Sequence, residues 1–160
     1  MRPLLAALLI IASFTGPVAG NEQLPFNGRL DGTVIVTPID PPIASVVIDA
    51  TGTATRIGRF TLTVPHVVNQ VERVGSGTYE FTTPNGDTLT ASFTGTATLV
   101  APGVLATSET ATFTGGTGRF AGATGGFVAM RVFVVAAGTT TGSFEGAISL
   151  PREPDHTQAP

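Results

Sequence analysis

The sequence predicts an all-β protein folded as a single antiparallel eight-stranded β-barrel, and three observations predict it. Apolar and polar residues alternate with a period of two almost throughout residues 21–150. Turn-forming residues interrupt that alternation about every 8 to 14 positions. No stretch sustains a helical period, and the abundant Thr and Val suit a pleated surface better than a helix.

Taken in order, residues 1–20 predict a secretory signal peptide. Arg2 precedes an apolar run from Leu4 to Ala12, and Val18-Ala19-Gly20 supplies small residues for cleavage. The run falls well short of the roughly 20 apolar residues that a membrane span needs. The expected destination is therefore secreted or periplasmic, with no membrane span after cleavage. The chain has no Cys, which rules out disulfides and a lipid-anchored N-terminus, so stability must come from packing and a closed hydrogen-bonded sheet.

Residues 21–150 form the expected barrel domain. Its strands are Gly28 to Thr37, Ser45 to Thr55, Gly58 to Val68, Gly77 to Thr83, Thr88 to Val100, Leu105 to Thr114, Gly126 to Ala137 and Thr140 to Leu150. The fifth alternates most regularly, with Leu89, Ala91, Phe93, Gly95, Ala97 and Leu99 on one face and six hydroxylated residues on the other. Pro38, Pro41 and Pro42 cannot donate ladder hydrogen bonds, so Pro38 to Pro42 is expected to be a loop. Pro84-Asn85-Gly86-Asp87 predicts a tight hairpin turn between the fourth and fifth strands. Residues 151–160 are polar and Pro-rich and are expected to be a frayed, disordered tail. Short turns favour hairpins and an antiparallel order; periodicity alone admits a β-sandwich as well as a barrel.

Composition excludes some functions. Only 12% of residues are charged, all eight basic residues are Arg, and the net charge is −3, so the chain lacks the basic face that nucleic-acid binding requires. The glycine-rich segment Phe113-Thr114-Gly115-Gly116-Thr117-Gly118-Arg119-Phe120-Ala121-Gly122-Ala123-Thr124-Gly125-Gly126-Phe127 has the wrong spacing for a dinucleotide fingerprint and no helix after it. Its glycines read as bulges and tight bends.

That segment resembles the Gly-Gly-Thr-Gly-x-Phe turn of the allene oxide cyclase-like barrels, a superfamily that includes bacterial secreted members and, more distantly, plant dirigent proteins. The flanking Gly58-Arg59-Phe60, Asn85-Gly86-Asp87 and Gly142-Ser143-Phe144-Glu145-Gly146 are similar too, so the resemblance runs from about Leu30 to Leu150. It implies a calycin-like eight-stranded barrel with an apolar cavity, assembled as a homodimer or homotrimer. It also implies either a binding protein for a small apolar molecule or a cyclase (an isomerase) or stereocontrol protein acting on one. It carries no catalytic residue to a position in this chain. A barrel filled by its own side chains, serving structure or surface interaction, is the third reading.

Parity selects the candidate site residues. Tyr79, Phe81, Phe93, Phe113, Phe133 and Phe144 are expected to line the barrel, with core packing as their ordinary role. Glu109 shares parity with Ala111 and Phe113, and Arg131 with Phe127, Ala129 and Phe133. Either the two point inward and pair, or they sit at a rim in water, since an unpaired buried charge is costly. His66 follows Phe60, Leu62 and Val64 on one parity, which reads as rim or structural placement. His156 falls in the tail. Two His and no Cys give no metal-ligand spacing, and no cofactor signature is present. Glu80 and Glu145 are expected to face solvent.

Overall fold

The computed structural model describes residues 21–152. The expected signal peptide, residues 153–160 of the tail and His156 lie outside the described residues. Eight strands run β1 Leu24–Asp40, β2 Ile43–Ala54, β3 Gly58–Asn69, β4 Val74–Thr82, β5 Thr88–Ala101, β6 Val104–Gly116, β7 Thr124–Val134 and β8 Thr139–Ser149. Each pairs antiparallel with its neighbours in the chain, and β1 pairs with β8 from Leu24↔Ile148 to Thr33↔Thr139, which closes the barrel. Closure leaves no edge strand over the paired length, so a chain without disulfides still satisfies its backbone groups.

The expected strands are all present, with ends that differ by up to four residues, β7 stopping at Val134 rather than Ala137 because residues 135–138 form a turn. Three further local differences stand out. First, β1 continues through Pro38, which pairs with Ala44; only Pro41 and Pro42, joined by a cis bond, form the turn. Past Thr33, β1 has no β8 partner in the ladder, and its register shifts between Pro38 and Asp40. A proline with no N–H to donate is tolerated at such a one-sided, bulged position. Second, Thr83 to Asp87 forms the β4–β5 loop, in which only Gly86, at φ +90°, takes a positive φ. The Thr83 hydroxyl donates to Asn85, and Thr83 N–H donates to Asp87 O at 2.9 Å, so side chains rather than a two-residue turn set this hairpin. Third, Leu99 is 48% exposed, because the β5–β6 hairpin reaches beyond the barrel interior.

One half of the interior is packed solid with rings. Phe26 stacks on Phe144 at 5.1 Å and meets Phe113 edge-on at 5.0 Å, while Phe60 meets Phe81 edge-on at 5.1 Å. Phe127 tilts against Phe26 and Phe144 at 5.5 and 5.3 Å. Beneath them a short 3₁₀ turn, Gly118–Phe120, drops the fully buried Phe120 into the end of the barrel. The glycine-rich segment builds this plug: Gly118 takes φ +56°, and a Cβ there would collide with the Asp87 carboxylate. Burying a Phe contributes on the order of 1.5–3 kcal/mol, so this half anchors the fold.

The outer face is mostly Thr and Ser, with one apolar stripe. Val128, Met130, Val132 and Val134 on β7 are each more than a third exposed. Glu80 and Glu145 face solvent.

Candidate functional site

The other half of the barrel is not filled. A cavity of about 240 Å³ opens there, lined by apolar side chains that include Val34, Val46, Ile48, Val68, Phe93, Leu105 and Phe133. Inward-facing Gly75, Gly95 and Ala97 leave the space that larger residues would occupy. Its mouth is framed by the β3–β4 turn, where Asn69 Oδ1 accepts from the N–H groups of Val71 and Glu72, each at 3.0 Å. Ala97 N–H donates to Arg73 O at 2.8 Å, which holds that turn against β5 and brings Gln70 and Arg73 to the rim.

Between the aromatic plug and the cavity lies a layer of polar side chains. Glu109 on β6 and Arg131 on β7 are 4% and 5% exposed and form a buried ion pair. Arg131 Nη2 donates to Glu109 Oε1, and Nε donates to Oε2 at 3.2 Å. The same Oε2 accepts the Tyr79 hydroxyl proton. On its far side Arg131 Nη1 donates to Thr140 Oγ1 at 3.1 Å, and Thr140 donates onward to Val132 O at 3.0 Å. The chain therefore runs Tyr79, Glu109, Arg131, Thr140 across β4, β6, β7 and β8.

Two glycines make room for it. Gly95 pairs directly with Glu109 across β5 and β6, and Gly142 pairs directly with Arg131 across β7 and β8. A Cβ on Gly95 would strike Cγ of Glu109, and one on Gly142 would strike Cγ of Arg131. Each charged side chain thus lies over the bare backbone of its neighbour strand.

Electrostatics follow from burial. Burial disfavours the charged guanidinium of Arg131, but the Glu109 charge and its hydrogen bonds outweigh this and raise the pKa above its usual value. Burial, then the Glu109 charge, raise the pKa of Tyr79, which stays a neutral donor. A buried ion pair of this kind adds little stability over apolar residues of the same volume, and here it lies in the wall of the cavity.

His66 also reaches the cavity. Its Nδ1 lies 2.9 Å from Val64 O, and its ring stands edge-on to Phe93 at 5.5 Å. Burial lowers its pKa, opposed by the Val64 hydrogen bond and the Glu109 charge, so the ring is neutral near pH 7. Among the described residues no cluster of three or more His, Asp or Glu is placed to hold a metal ion.

The parity argument therefore selected residues that the structure divides between two layers. Phe93, Glu109, Arg131 and Phe133 line the cavity. Phe81, Phe113 and Phe144 lie instead in the aromatic plug, and Tyr79 stands behind Glu109, because alternation specifies a face of the sheet and not a depth along the barrel axis. Phe133 is only half buried, near the open end. Thr107 and Thr140 were missed; both share the parity of inward neighbours, Glu109 and Phe144, and that signal was present in the sequence.

Two solved structures share this architecture. The pterocarpan synthase dirigent protein GePTS1 aligns with a TM-score of 0.52 at 15% identity, over 91% of this chain and 100% of that one. The pterocarpan synthase dirigent protein PsPTS1 aligns with a TM-score of 0.56 at 11% identity, over 82% of this chain and 97% of that one. No sequence model of a known family matches the chain, and no curated protein matches it. At these identities the likeness is one of fold: the chain has the eight-stranded barrel architecture seen in dirigent proteins.

Proposed function

We propose that this is a secreted barrel that binds one small, largely apolar molecule in its cavity and orients it against the Glu109–Arg131 pair. The observation that carries the reading is a hydrogen-bonded ion pair forming part of the wall of a largely apolar cavity. Apolar walls with a few convergent polar groups are the usual make-up of a small-molecule site. Arg131 has five N–H donors and uses three on Glu109 and Thr140; it also lies against the Tyr79 hydroxyl, so at most two remain for a ligand oxygen. An eight-stranded barrel has room for about one such ligand.

Stereocontrol or cyclisation of an apolar substrate is the second reading, favoured by the shared fold with pterocarpan synthase dirigent proteins. A cavity that holds a reactive molecule in one shape, with a donor and an acceptor at one end, would act by orientation. A barrel serving structure alone is disfavoured by the unfilled half of the interior. Self-association as a homodimer or homotrimer is part of the proposal, supported by the uncharged apolar stripe on β7.

Native mass spectrometry of the protein purified from its own secretory source, followed by denaturing extraction, tests the binding reading. A reproducible apolar adduct, lost in a folded Arg131→Met variant, is expected. Absence of any adduct, together with no thermal shift across a lipid and terpenoid panel, would leave the structural reading.

A further inference from the structure

The cavity contains two polar groups that the Glu109–Arg131 chain does not use. His66 Nδ1 faces Val64 O, and a carbonyl only accepts, so Nδ1 carries the ring proton. The neutral ring then holds its lone pair on Nε2, which has no protein partner among the described residues. Val64 on one side and Phe93 on the other fix the ring's orientation. The second group is Thr107 Oγ1, buried and without a hydrogen-bond partner, in the wall of the same cavity. His66 on β3 faces Arg131 on β7 across the ring of eight strands.

Charge narrows the choice of ligand. Glu109 and Arg131 neutralise each other, so a charged ligand at their depth would be a buried charge without a counterion. Arg73, at the exposed rim, stands too far into water to supply one. Size narrows it further. An apolar cavity of about 150 Å³ takes a benzene, so this one takes roughly ten heavy atoms.

We propose that His66 Nε2 is the acceptor for a ligand hydroxyl, and that the cavity selects compact, neutral, apolar alcohols over the same skeletons without a hydroxyl. This deepens the binding reading above and rests on it. An alcohol donates its hydrogen bond to Nε2, and its oxygen keeps lone pairs for a second donor in the cavity wall. A ketone in the same place sets lone pair against lone pair, and a hydrocarbon leaves Nε2 and Thr107 unpaired. Sites built to bond a hydroxyl reject analogues that lack it; of the two groups here Thr107 Oγ1 is the one buried without a partner, while His66 is half-buried.

Borneol, camphor and bornane share one carbon skeleton of about the required size and differ only in this group. Equilibrium dialysis of each against the purified protein should give borneol at least roughly a tenfold preference over the other two. In His66→Leu and His66→Phe variants the preference should fall to about twofold, with bornane binding unchanged or improved. Wild-type protein that binds all three alike overturns the role of His66 and leaves the cavity reading standing. A borneol preference that survives in both variants also overturns it. Failure of all three to bind overturns the inference, and the adduct experiment above then decides the cavity reading separately. The wild-type comparison needs no variant, so a misfolded His66 substitution does not shield the proposal.

Discussion

Replacing Glu109 by Gln isolates the cost of one charge in this barrel. Glutamine keeps the length of the side chain and one carbonyl acceptor, but it leaves Arg131 buried at 5% exposure with no counterion. The guanidinium cannot escape by losing its proton, and its bond to Thr140 at 3.1 Å does not balance its charge. Breaking a buried pair from one side costs about 3–5 kcal/mol. The remaining amide acceptor returns about 1 kcal/mol, so the net loss should be about 2–4 kcal/mol, a large share of the ~5–15 kcal/mol that holds a domain folded. Urea unfolding followed by circular dichroism should show the midpoint falling by about 1–2 M. The double variant Glu109→Gln with Arg131→Met removes the stranded charge and should regain about half of the loss or more. If Glu109→Gln unfolds within about 0.5 kcal/mol of wild type, or if the double variant is no better than the single, then Arg131 is not desolvated as described and the reasoning fails.

Three further outcomes follow from the same geometry. Gly142→Ala should cost about 1–3 kcal/mol, read as a fall of several degrees in Tm, because its methyl group meets Cγ of Arg131 and the Met130 carbonyl; an unchanged Tm would mean that Arg131 does not lie over β8. His66 has a lowered pKa in the folded state, so the unfolded chain binds its proton first as pH drops, and stability should decline as pH falls below about 6.5; pH-dependent unfolding should lose this component in His66→Phe. Tyr79 has a raised pKa, so the unfolded chain releases its proton first, and stability should decline as pH rises above about 10; a Tyr79→Phe variant that keeps the full alkaline decline would contradict the burial of Tyr79 beside Glu109.

The strands and most turns were legible in the sequence because each depends on neighbours a few positions away. Alternation from Thr88 onward marked β5, and the parity of Glu109 with Phe113 and of Arg131 with Phe127 and Phe133 made both charges candidates for the inner face, but β7 is apolar on both parities and only the paired strands show the two buried together. Pro38 was misjudged because a proline's tolerance depends on whether the partner strand is there to miss its N–H, and β8 stops pairing at Thr33. The same local logic could not separate barrel from sandwich, since both present one buried face per strand.

What the sequence alone determined is therefore which residues share a face of each strand. Tertiary structure decided how deep each one sits. Closure of β1 on β8 fixes the stagger of all eight strands, and that stagger places Phe26, Phe81, Phe113, Phe127 and Phe144 in one layer while Gly75, Gly95 and Ala97 fall together in another. The first layer is full and the second is a cavity. The same registers set Glu109 opposite Gly95 and Arg131 opposite Gly142, so two charges 22 residues apart in sequence meet over bare backbone. A period of two carries no information about position along the barrel axis; only the hydrogen-bonded register around the whole ring supplies it.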